Sequence, residues 1–310
     1  MRRTLIAVTL AASVSASCSS AGTTPPGSSP GSAATTFALQ VATPDLYAGT
    51  PQRVQVGVYG STDQGVQLLT GGRIPIALVS ADGGDPISGQ ARYIAAPGTP
   101  SPKEPGLTPP SQARGVYQLD GVEFPTPGVW QAQLSFSAGG QPIELTSQFA
   151  VADEPALPAP GQPALRTDNL TMRDKDDPQA IDSRAQDGAA VPDAELHQDT
   201  IAAAIAAGRP VLALFATPVY CASQFCGPTT DALQQLADTG PADVAYIHVE
   251  IWNDYQESAV NKAAAQWLLR DDDLTEPWLY LIGPDGVIID RWAPLFDPAE
   301  VRAELDEVAG

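Results

Sequence analysis

The most informative stretch of this chain reads Val211-Leu-Ala-Leu-Phe-Ala-Thr-Pro-Val-Tyr-Cys-Ala-Ser-Gln-Phe-Cys-Gly-Pro228. Its first six residues form an unbroken apolar run, which is typical of a central parallel strand that is buried on both faces. Two cysteines, Cys221 and Cys226, follow this predicted strand. The only other cysteine of the chain is Cys18. A close pair of thiols directly after a buried strand is a candidate redox centre.

The C-x4-C spacing limits the backbone between the two cysteines. Residues five apart on a continuous α-helix have Cα atoms about 8.6 Å apart, whereas a disulfide tolerates at most about 7 Å. Residues 222–225 must therefore be non-helical when the cysteines are joined. The ring of Pro228 would clash with the carbonyl of Gln224 in a helix, so we predict that regular helix begins near Gly227.

The segments around this pair predict an α/β domain over residues 167–310. Residues 167–192 are polar and rich in Asp, and we predict a long loop there with one short strand. Helices are predicted over residues 193–208, 229–236, 259–269 and 298–308, the last of them capped by Asp297 with Pro298 at its first position. Further strands are predicted over residues 244–252 and in a hairpin of residues 278–282 and 287–292.

The order helix, strand, cysteine pair, helix, strand, helix, hairpin, helix resembles the thioredoxin fold over roughly residues 155–310. The run 211–221 is similar to the thioredoxin strand that ends in an aromatic residue and a cysteine. The segment Glu276-Pro277-Trp278-Leu-Tyr-Leu-Ile-Gly-Pro-Asp-Gly286 is similar to the place where thioredoxins hold a cis-proline beside the active cysteines. The resemblance implies that Pro277 lies against the dithiol and, with Tyr220, helps to bind an extended thiol substrate.

The attacking sulfur stays open at this stage. By its position in the thioredoxin-like pattern, Cys221 is the nucleophile at the end of the strand. Cys226, however, lies closer to the predicted helix start, where the backbone dipole lowers the pKa of a thiol. The family position favours Cys221.

Other interpretations of the pair also remain open. C-x4-C is the spacing of the peroxidatic and resolving cysteines in Q-type peroxiredoxins, but Pro218 stands where those enzymes have Thr and Pro277 where they have Arg. Copper-delivering proteins of the Sco type have C-x3-C and a downstream His, and this chain has only His197 and His248. A static disulfide is a further alternative, although so small a loop constrains little chain entropy.

His248 and Glu250 share one face of their predicted strand, with Glu250 near its C-terminal end. A proton-relay role is open to them, because residues 211–216 lack the buried acid that thioredoxins keep. The commoner outcome for such residues is a satisfied group at the surface.

Residues 1–17 have the pattern of a lipoprotein signal peptide. Arg2 and Arg3 precede an uncharged apolar stretch that is far shorter than the roughly 20 residues of a membrane span. Val14-Ser-Ala-Ser-Cys18 resembles a bacterial lipobox, which implies a lipid on Cys18, although the same residues also fit ordinary signal peptidase cleavage. Residues 18–36 are predicted to be a Ser/Gly/Pro tether that is too polar to fold. We therefore expect an extracytoplasmic protein, lipid-anchored to the cell membrane, where disulfides persist.

Residues 37–153 predict an all-β domain. Six or seven short segments alternate or run apolar over strand lengths and are separated by Gly, Pro, Asp and Ser, which favours an immunoglobulin-like sandwich. Residues 97–110 are rich in proline and are predicted to form an exposed loop. Residues 154–166 are predicted to be a Pro-rich linker to the second domain. No catalytic cluster is visible in the predicted sandwich.

The net charge narrows the range of partners. The chain has 36 acidic and 16 basic residues and a formal charge of −20, so it would repel the phosphates of a nucleic acid. The sequence predicts a membrane-anchored thiol–disulfide oxidoreductase that acts on thiol or disulfide protein clients, with no cofactor and no resident metal. The competing hypothesis is a non-enzymatic binding or scaffold lipoprotein with a structural disulfide.

Overall fold

The computed structural model describes residues 36–310, apart from residues 64, 139, 175, 176 and 222. The predicted signal peptide, the lipid on Cys18 and the tether as far as residue 35 lie outside the described residues. Among the described helices, none combines the length and the apolar character that crossing a membrane would need. The described chain is mostly β-sheet with few helices.

The N-terminal half contains nine strands among its described residues, and they belong to one antiparallel sheet. The strands are β1 (Thr36–Val41), β2 (Gln52–Thr62), β3 (Gly65–Thr70), β4 (Arg73–Ser80), β5 (Ile87–Ala95), β6 (Gly106–Thr108), β7 (Gly115–Val122), β8 (Gly128–Ala138) and β9 (Gln141–Val151). Their order is β6-β3-β2-β7-β5-β4-β8-β9, and β1 pairs with the opposite edge of β2. Most of its buried apolar residues form one core, and Ile94, Ala96 and Val116 form a smaller cluster with Leu295 of the C-terminal half.

Alternation of side chains explains how this sheet forms its core. In β8, Trp130, Ala132 and Leu134 are buried, while Gln133 between them and Val129 before them are exposed, as expected when successive side chains point to opposite faces. The all-β class predicted for this half is therefore confirmed. The immunoglobulin-like arrangement and the domain boundaries stay predictions. The predicted number of strands was too low, and β6 occupies part of the segment that we expected to be a loop.

The C-terminal half is built on a four-stranded mixed sheet, of order β11-β10-β16-β17. Its strands are β10 (Val211–Ala216), β11 (Ala245–Glu250), β16 (Trp278–Ile282) and β17 (Ile288–Trp292). The first pair is parallel and the other two pairs are antiparallel. Two short ribbons flank the sheet: β12 (Trp252–Asp254) with β13 (Ala259–Val260), and β14 (Leu269–Arg270) with β15 (Asp273–Leu274).

Helices cover both faces of this sheet. They are α1 (Pro178–Ile181), α2 (Ile201–Ala206), α3 (Cys226–Thr239), α4 (Lys262–Leu268) and α5 (Pro298–Ala309). All six residues of β10 are buried, as the apolar run predicts. Ala213 and Phe215 share a core with α2 and α4, whereas Leu212 and Leu214 share a core with α3 and α5.

Two helices are shorter in the structure than the sequence predicts, because a side chain inside each predicted range caps the helix and sets a later start. The segment 193–208 begins with a 3₁₀ turn (Ala194–His197), and α2 starts only after Thr200, whose hydroxyl accepts from the amide of Ala203. The helix expected over 259–269 begins at Lys262, because Asn261 caps it. The segment 167–192 holds α1 and a 3₁₀ turn (Gln186–Gly188), and the short strand predicted there is absent from its described residues. Helix α5 matches its prediction, and Asp297 caps it.

Ion pairs join the two halves of the described chain. Arg53 on β2 donates to both carboxylate oxygens of Asp290 on β17, at 2.8 and 2.7 Å. On β5, Arg92 donates to Asp297 at 2.8 Å and also contacts Glu300. The two halves therefore make a charged and specific interface with each other.

A carboxylate at this interface gives the protein an expected pH dependence. The pKa of Glu304 is raised to about 8, because burial disfavours its charge and Asp290 repels it. Between its ordinary value of 4.5 and about 8, the folded state then holds more protons than the unfolded state. The contribution of Glu304 to stability therefore declines as the pH rises through this window.

We expect Glu304→Gln to raise the free energy of unfolding at about pH 9 and to leave it nearly unchanged at about pH 4. Urea unfolding at the two pH values measures the effect. Glu307→Gln, at an exposed position of the same helix, is the matched control and should show no pH-dependent gain. An equal gain at both pH values in Glu304→Gln would contradict the prediction.

Candidate functional site

A disulfide joins Cys221 and Cys226 at the junction of β10 and α3. Their Cα atoms are 5.9 Å apart, well below the separation expected for a continuous helix. Gln224 has a φ of 63°, in the left-handed region, so it interrupts any helical path between the cysteines. The prediction of a non-helical connection is confirmed for the described residues 223–225, and regular helix begins at Cys226, next to the predicted Gly227.

The two sulfurs differ in access and in surroundings. Cys226 is completely buried, whereas Cys221 is partly exposed. The backbone N–H of Cys226, the first residue of α3, points at the Cys221 sulfur from 3.3 Å, and the hydroxyl oxygen of Ser223 lies 3.2 Å from that sulfur. A helix N-terminus favours negative charge. On reduction of the disulfide, this geometry would stabilise a thiolate on Cys221 rather than on the buried Cys226.

The segment before β16 approaches the same disulfide. The peptide bond between Glu276 and Pro277 is cis, as the resemblance implied. A carboxylate oxygen of Glu276 and the two sulfurs all lie within 4.8 Å of one another. Sequence reasoning singled out Pro277 and missed Glu276, although its position directly before that proline was a usable signal.

A cavity of about 760 Å³ lies beside the disulfide loop. One wall comes from β1, β2 and β3 of the N-terminal half, and the other from residues 223–225 and 274–277. Apolar side chains such as Val58, Leu68 and Phe225 line it together with Pro277. At its rim, Arg114 donates to the side-chain oxygen of Gln224 at 3.0 Å.

Tyr220 occupies a different surface from Pro277. Its ring stacks on that of Tyr255 with centroids 4.1 Å apart, and its hydroxyl accepts from Gln179 at 2.6 Å. These residues line a separate hollow of about 210 Å³ with Trp252. The structure thus places Pro277, but not Tyr220, in the lining of the larger cavity.

His248 and Glu250 lie in the core and not at the surface, contrary to the commoner outcome. Each is 1% exposed. The Nδ1 atom of His248 lies 3.5 Å from Oδ2 of Asp182, and Nε2 of His197 lies 3.6 Å from the same oxygen. We call Asp182, His197 and His248 the buried triad. Asp182 lies at the C-terminal cap of α1 and His197 in the 3₁₀ turn of residues 194–197, and sequence pattern alone could not bring these two segments together.

Burial and charge set the protonation of the buried triad. Burial opposes ionisation of Asp182, but His197, His248 and Arg184 outweigh it and lower the pKa of its carboxyl group. Burial lowers the pKa of His197. Burial also opposes protonation of His248, but Asp182 and Glu250 outweigh it and raise the pKa of that imidazole. The surroundings of His248 therefore favour positive charge.

Glu250 connects this region to the chain that leads to Cys221. Its carboxylate accepts from the backbone N–H of Ser183 at 2.8 Å and from that of Ile251 at 2.9 Å. The hydroxyl of Ser183 in turn accepts from the backbone N–H of Val219 at 3.2 Å. Burial raises the pKa of Glu250.

No family model matches this chain, and comparisons with curated proteins and with solved structures likewise return no match.

Proposed function

We propose that this protein is a thiol–disulfide oxidoreductase whose attacking sulfur is that of Cys221. The observation that carries the proposal is the asymmetry of the pair: the partly exposed Cys221 sulfur faces the N-terminus of α3, while Cys226 is completely buried. An attacking thiol must be accessible and must form a thiolate readily. A resolving thiol needs only to reach its partner.

The exchange proceeds through a mixed disulfide. The Cys221 thiolate attacks one sulfur of a client disulfide, and the other client sulfur leaves as a thiolate. The Cys226 thiolate then attacks the Cys221 sulfur and displaces the remaining client sulfur. The two electrons of the dithiol pass to the client, and the Cys221–Cys226 disulfide is formed. The reverse sequence oxidises a client dithiol.

A thioredoxin-like architecture for residues 167–310 is part of this proposal. Its support is the mixed four-stranded sheet with helices on both faces, the cysteines between β10 and α3, and the nearby Pro277. The proposal also keeps the lipid on Cys18 and the extracytoplasmic location. Its support there is the lipobox-like sequence and the disulfide itself, which persists in oxidising compartments.

We assign the role of proton acceptor to Glu276, whose carboxylate lies within 4.8 Å of both sulfurs. As Cys226 resolves the mixed disulfide, its thiol must lose a proton, and a nearby carboxylate can take it. We expect Glu276→Gln to slow exchange by at least about 100-fold, the usual lower range for general base catalysis.

The rate of exchange as a function of pH measures this effect. The wild-type profile should contain a limb that Glu276→Gln loses, while Glu257→Gln, at an exposed position, keeps it. An unchanged profile in Glu276→Gln would remove this residue from the mechanism.

The clients are proposed to be extended polypeptide segments that contain cysteine. The cavity of about 760 Å³ lies between the two halves of the chain, and apolar side chains contribute to its lining. Tyr59 and Val66 on its N-terminal wall are 38% and 56% exposed, which provides apolar surface for a client backbone and its side chains.

We expect the N-terminal wall of the cavity to contribute to the binding of a client and not to the chemical step. Because Arg114 holds Gln224 at the rim, we expect Arg114→Ala to raise the KM for a polypeptide client about 5-fold, equivalent to ~1 kcal/mol. The rate with glutathione should not change, since glutathione is too small to need both walls. Arg73→Ala, an exposed arginine away from the cavity, is the control. An equal loss with both substrates would contradict a binding role.

Redox titration of the full chain in graded glutathione buffers tests the proposed function. A reversible potential above about −300 mV, together with reduction of a disulfide-bonded polypeptide, is expected of an exchange centre. A lower potential with no exchange would support the static disulfide of a scaffold protein. If the protein instead reduces peroxide with a thiol as the electron donor, the proposed function is wrong and the protein is a peroxidase.

A further inference from the structure

We propose that the buried triad, Asp182, His197 and His248, is a binding site for a divalent transition-metal cation, with Zn²⁺ as the best fit. This site is separate from the cysteines and does not depend on the function proposed for them. Its three ligand atoms lie within 4.8 Å of one another, and all three side chains are fully buried.

The distances within the buried triad fit a shared cation better than hydrogen bonds. Oδ2 of Asp182 is 3.5 Å from His248 and 3.6 Å from His197. Hydrogen bonds between nitrogen and oxygen are normally about 2.7–3.2 Å long, and those with a charged partner are at the short end. Two ligands held about 2.0–2.2 Å from a tetrahedral Zn²⁺ lie roughly 3.4 Å apart. The observed nitrogen–oxygen separations therefore match two ligands of one Zn²⁺ ion better than a hydrogen-bonded pair.

The tautomer of His248 strengthens this argument. Its Nε2 lies 3.0 Å from the carbonyl oxygen of Ala216, and a carbonyl can only accept, so Nε2 holds a hydrogen. A metal binds the neutral ring, in which the lone pair of Nδ1 then faces the carboxylate of Asp182 across a buried site. A metal-bound histidine commonly donates its other N–H to a backbone carbonyl in this way.

His197 gives an independent reason to expect a ligand. Among the described residues, neither of its ring nitrogens has a hydrogen-bond partner, although the side chain is 0% exposed. Nδ1 of His248 is also unpartnered in the same part of the chain. Buried polar atoms are nearly always satisfied, so three unsatisfied nitrogens in these two imidazoles, two of them facing one carboxylate, require an explanation. A cation bound to His197 Nε2 and His248 Nδ1 would satisfy two of them.

The charges around the buried triad are compatible with a dication. Arg184 donates to Asp182 through Nε and Nη2, at 3.0 and 2.7 Å, and brings one positive charge. Three carboxylates oppose this positive charge, those of Asp182, Asp193 and Glu250. Asp193 also forms an ion pair with Arg184 at 2.8 Å. Imidazole nitrogen and carboxylate oxygen are ligands that Zn²⁺ prefers.

Bound metal would have a structural role. The three ligands come from the C-terminal cap of α1, from the 3₁₀ turn of residues 194–197 and from β11. One cation would therefore tie two irregular segments to the central sheet. The neighbouring Ser183 contacts Val219, two residues before Cys221, so the same cation would help to fix the segment that leads to the disulfide.

Zinc titration of the untagged full chain tests the proposal. After chelator treatment, isothermal titration calorimetry with zinc chloride should give one equivalent of bound Zn²⁺. His197→Gln should weaken binding by at least about 100-fold, more than loss of an outer partner usually does. The matched control, with Cys18, Cys221 and Cys226 all changed to serine, should bind as tightly as the wild type. Failure to bind zinc in folded wild-type protein would overturn the proposal, as would loss of binding in the serine control.

X-ray absorption of the wild-type zinc complex avoids any dependence on variants. The chain has two histidines, so two imidazole ligands can come only from His197 and His248. The expected spectrum shows two imidazoles with oxygen ligands and no sulfur. Sulfur in the coordination shell would overturn the proposal and move the metal to the cysteines. Neither result bears on exchange activity, which is measured separately with the redox titration.

Discussion

Cys226→Ser protein is expected to accumulate a stable mixed disulfide with a client, linked through Cys221. Cys221 is partly exposed and faces the N-terminus of α3, so it can still attack a client disulfide. The serine hydroxyl cannot displace the client, and the second step stops. Turnover should fall to the background rate, and mass spectrometry of the non-reduced adduct should identify Cys221 as the linked residue.

Cys221→Ser is the matched variant, and it should lose turnover without trapping a client. Its remaining thiol, Cys226, is completely buried and cannot reach a client disulfide. Both variants should be made with Cys18 replaced by serine, so that no other thiol forms the adduct. Trapping through Cys226 instead would reverse the assigned roles, and no trapping in either variant would favour the static disulfide.

Asp45→Ala is expected to lower the free energy of unfolding by about 3–5 kcal/mol, the usual effect of leaving a buried charge unpaired. Asp45 accepts from Arg291 at 2.9 Å, and the two side chains are 6% and 7% exposed. The carboxylate also accepts from the backbone amides of Ala156 and Leu157, at 3.1 Å each. Removing it leaves a guanidinium and two amides inside the protein without their acceptor.

Urea unfolding at neutral pH measures this loss, and two further variants define its cause. Asp85→Ala, at an exposed position of the same half, should change stability by no more than about 0.5 kcal/mol. Adding Arg291→Met to Asp45→Ala should recover part of the loss, because it removes the unpaired charge. A double variant less stable than the single one would show that Arg291 contributes mainly through its other contacts, with Leu157 and Pro158.

The pattern of neighbouring residues in the sequence correctly predicted the structural features that depend only on those neighbours. The apolar run 211–216 gave a strand buried on both faces, and the five-residue spacing of Cys221 and Cys226 required a non-helical connection. Asp297 and Pro298 marked the start of α5. The predicted helices over 193–208 and 259–269 were too long, because capping by Thr200 and Asn261 outweighs the apolar pattern around them.

Features that depend on distant contacts could not be read from the chain. The buried triad joins Asp182 and His197, which lie in irregular segments, to His248 on a strand. No periodicity relates such residues, and a polar sequence around Asp182 is normally a sign of exposure. The proximity of Glu276 to the sulfurs likewise required the fold, although the proline beside it was recognised.

The ion pairs of Arg53 and Arg92 with β17 and α5 have a consequence for substrate entry. They connect the N-terminal half to β17 and α5, so we expect the spacing between the two walls of the large cavity to be fixed in the folded protein. If the proposed exchange with polypeptide clients holds, we expect a client to enter by unfolding locally and placing an extended stretch in the cavity. On the same proposal, we expect compactly folded proteins to be excluded by their size, so that local unfolding of the client, and not a recognition motif, determines which clients react.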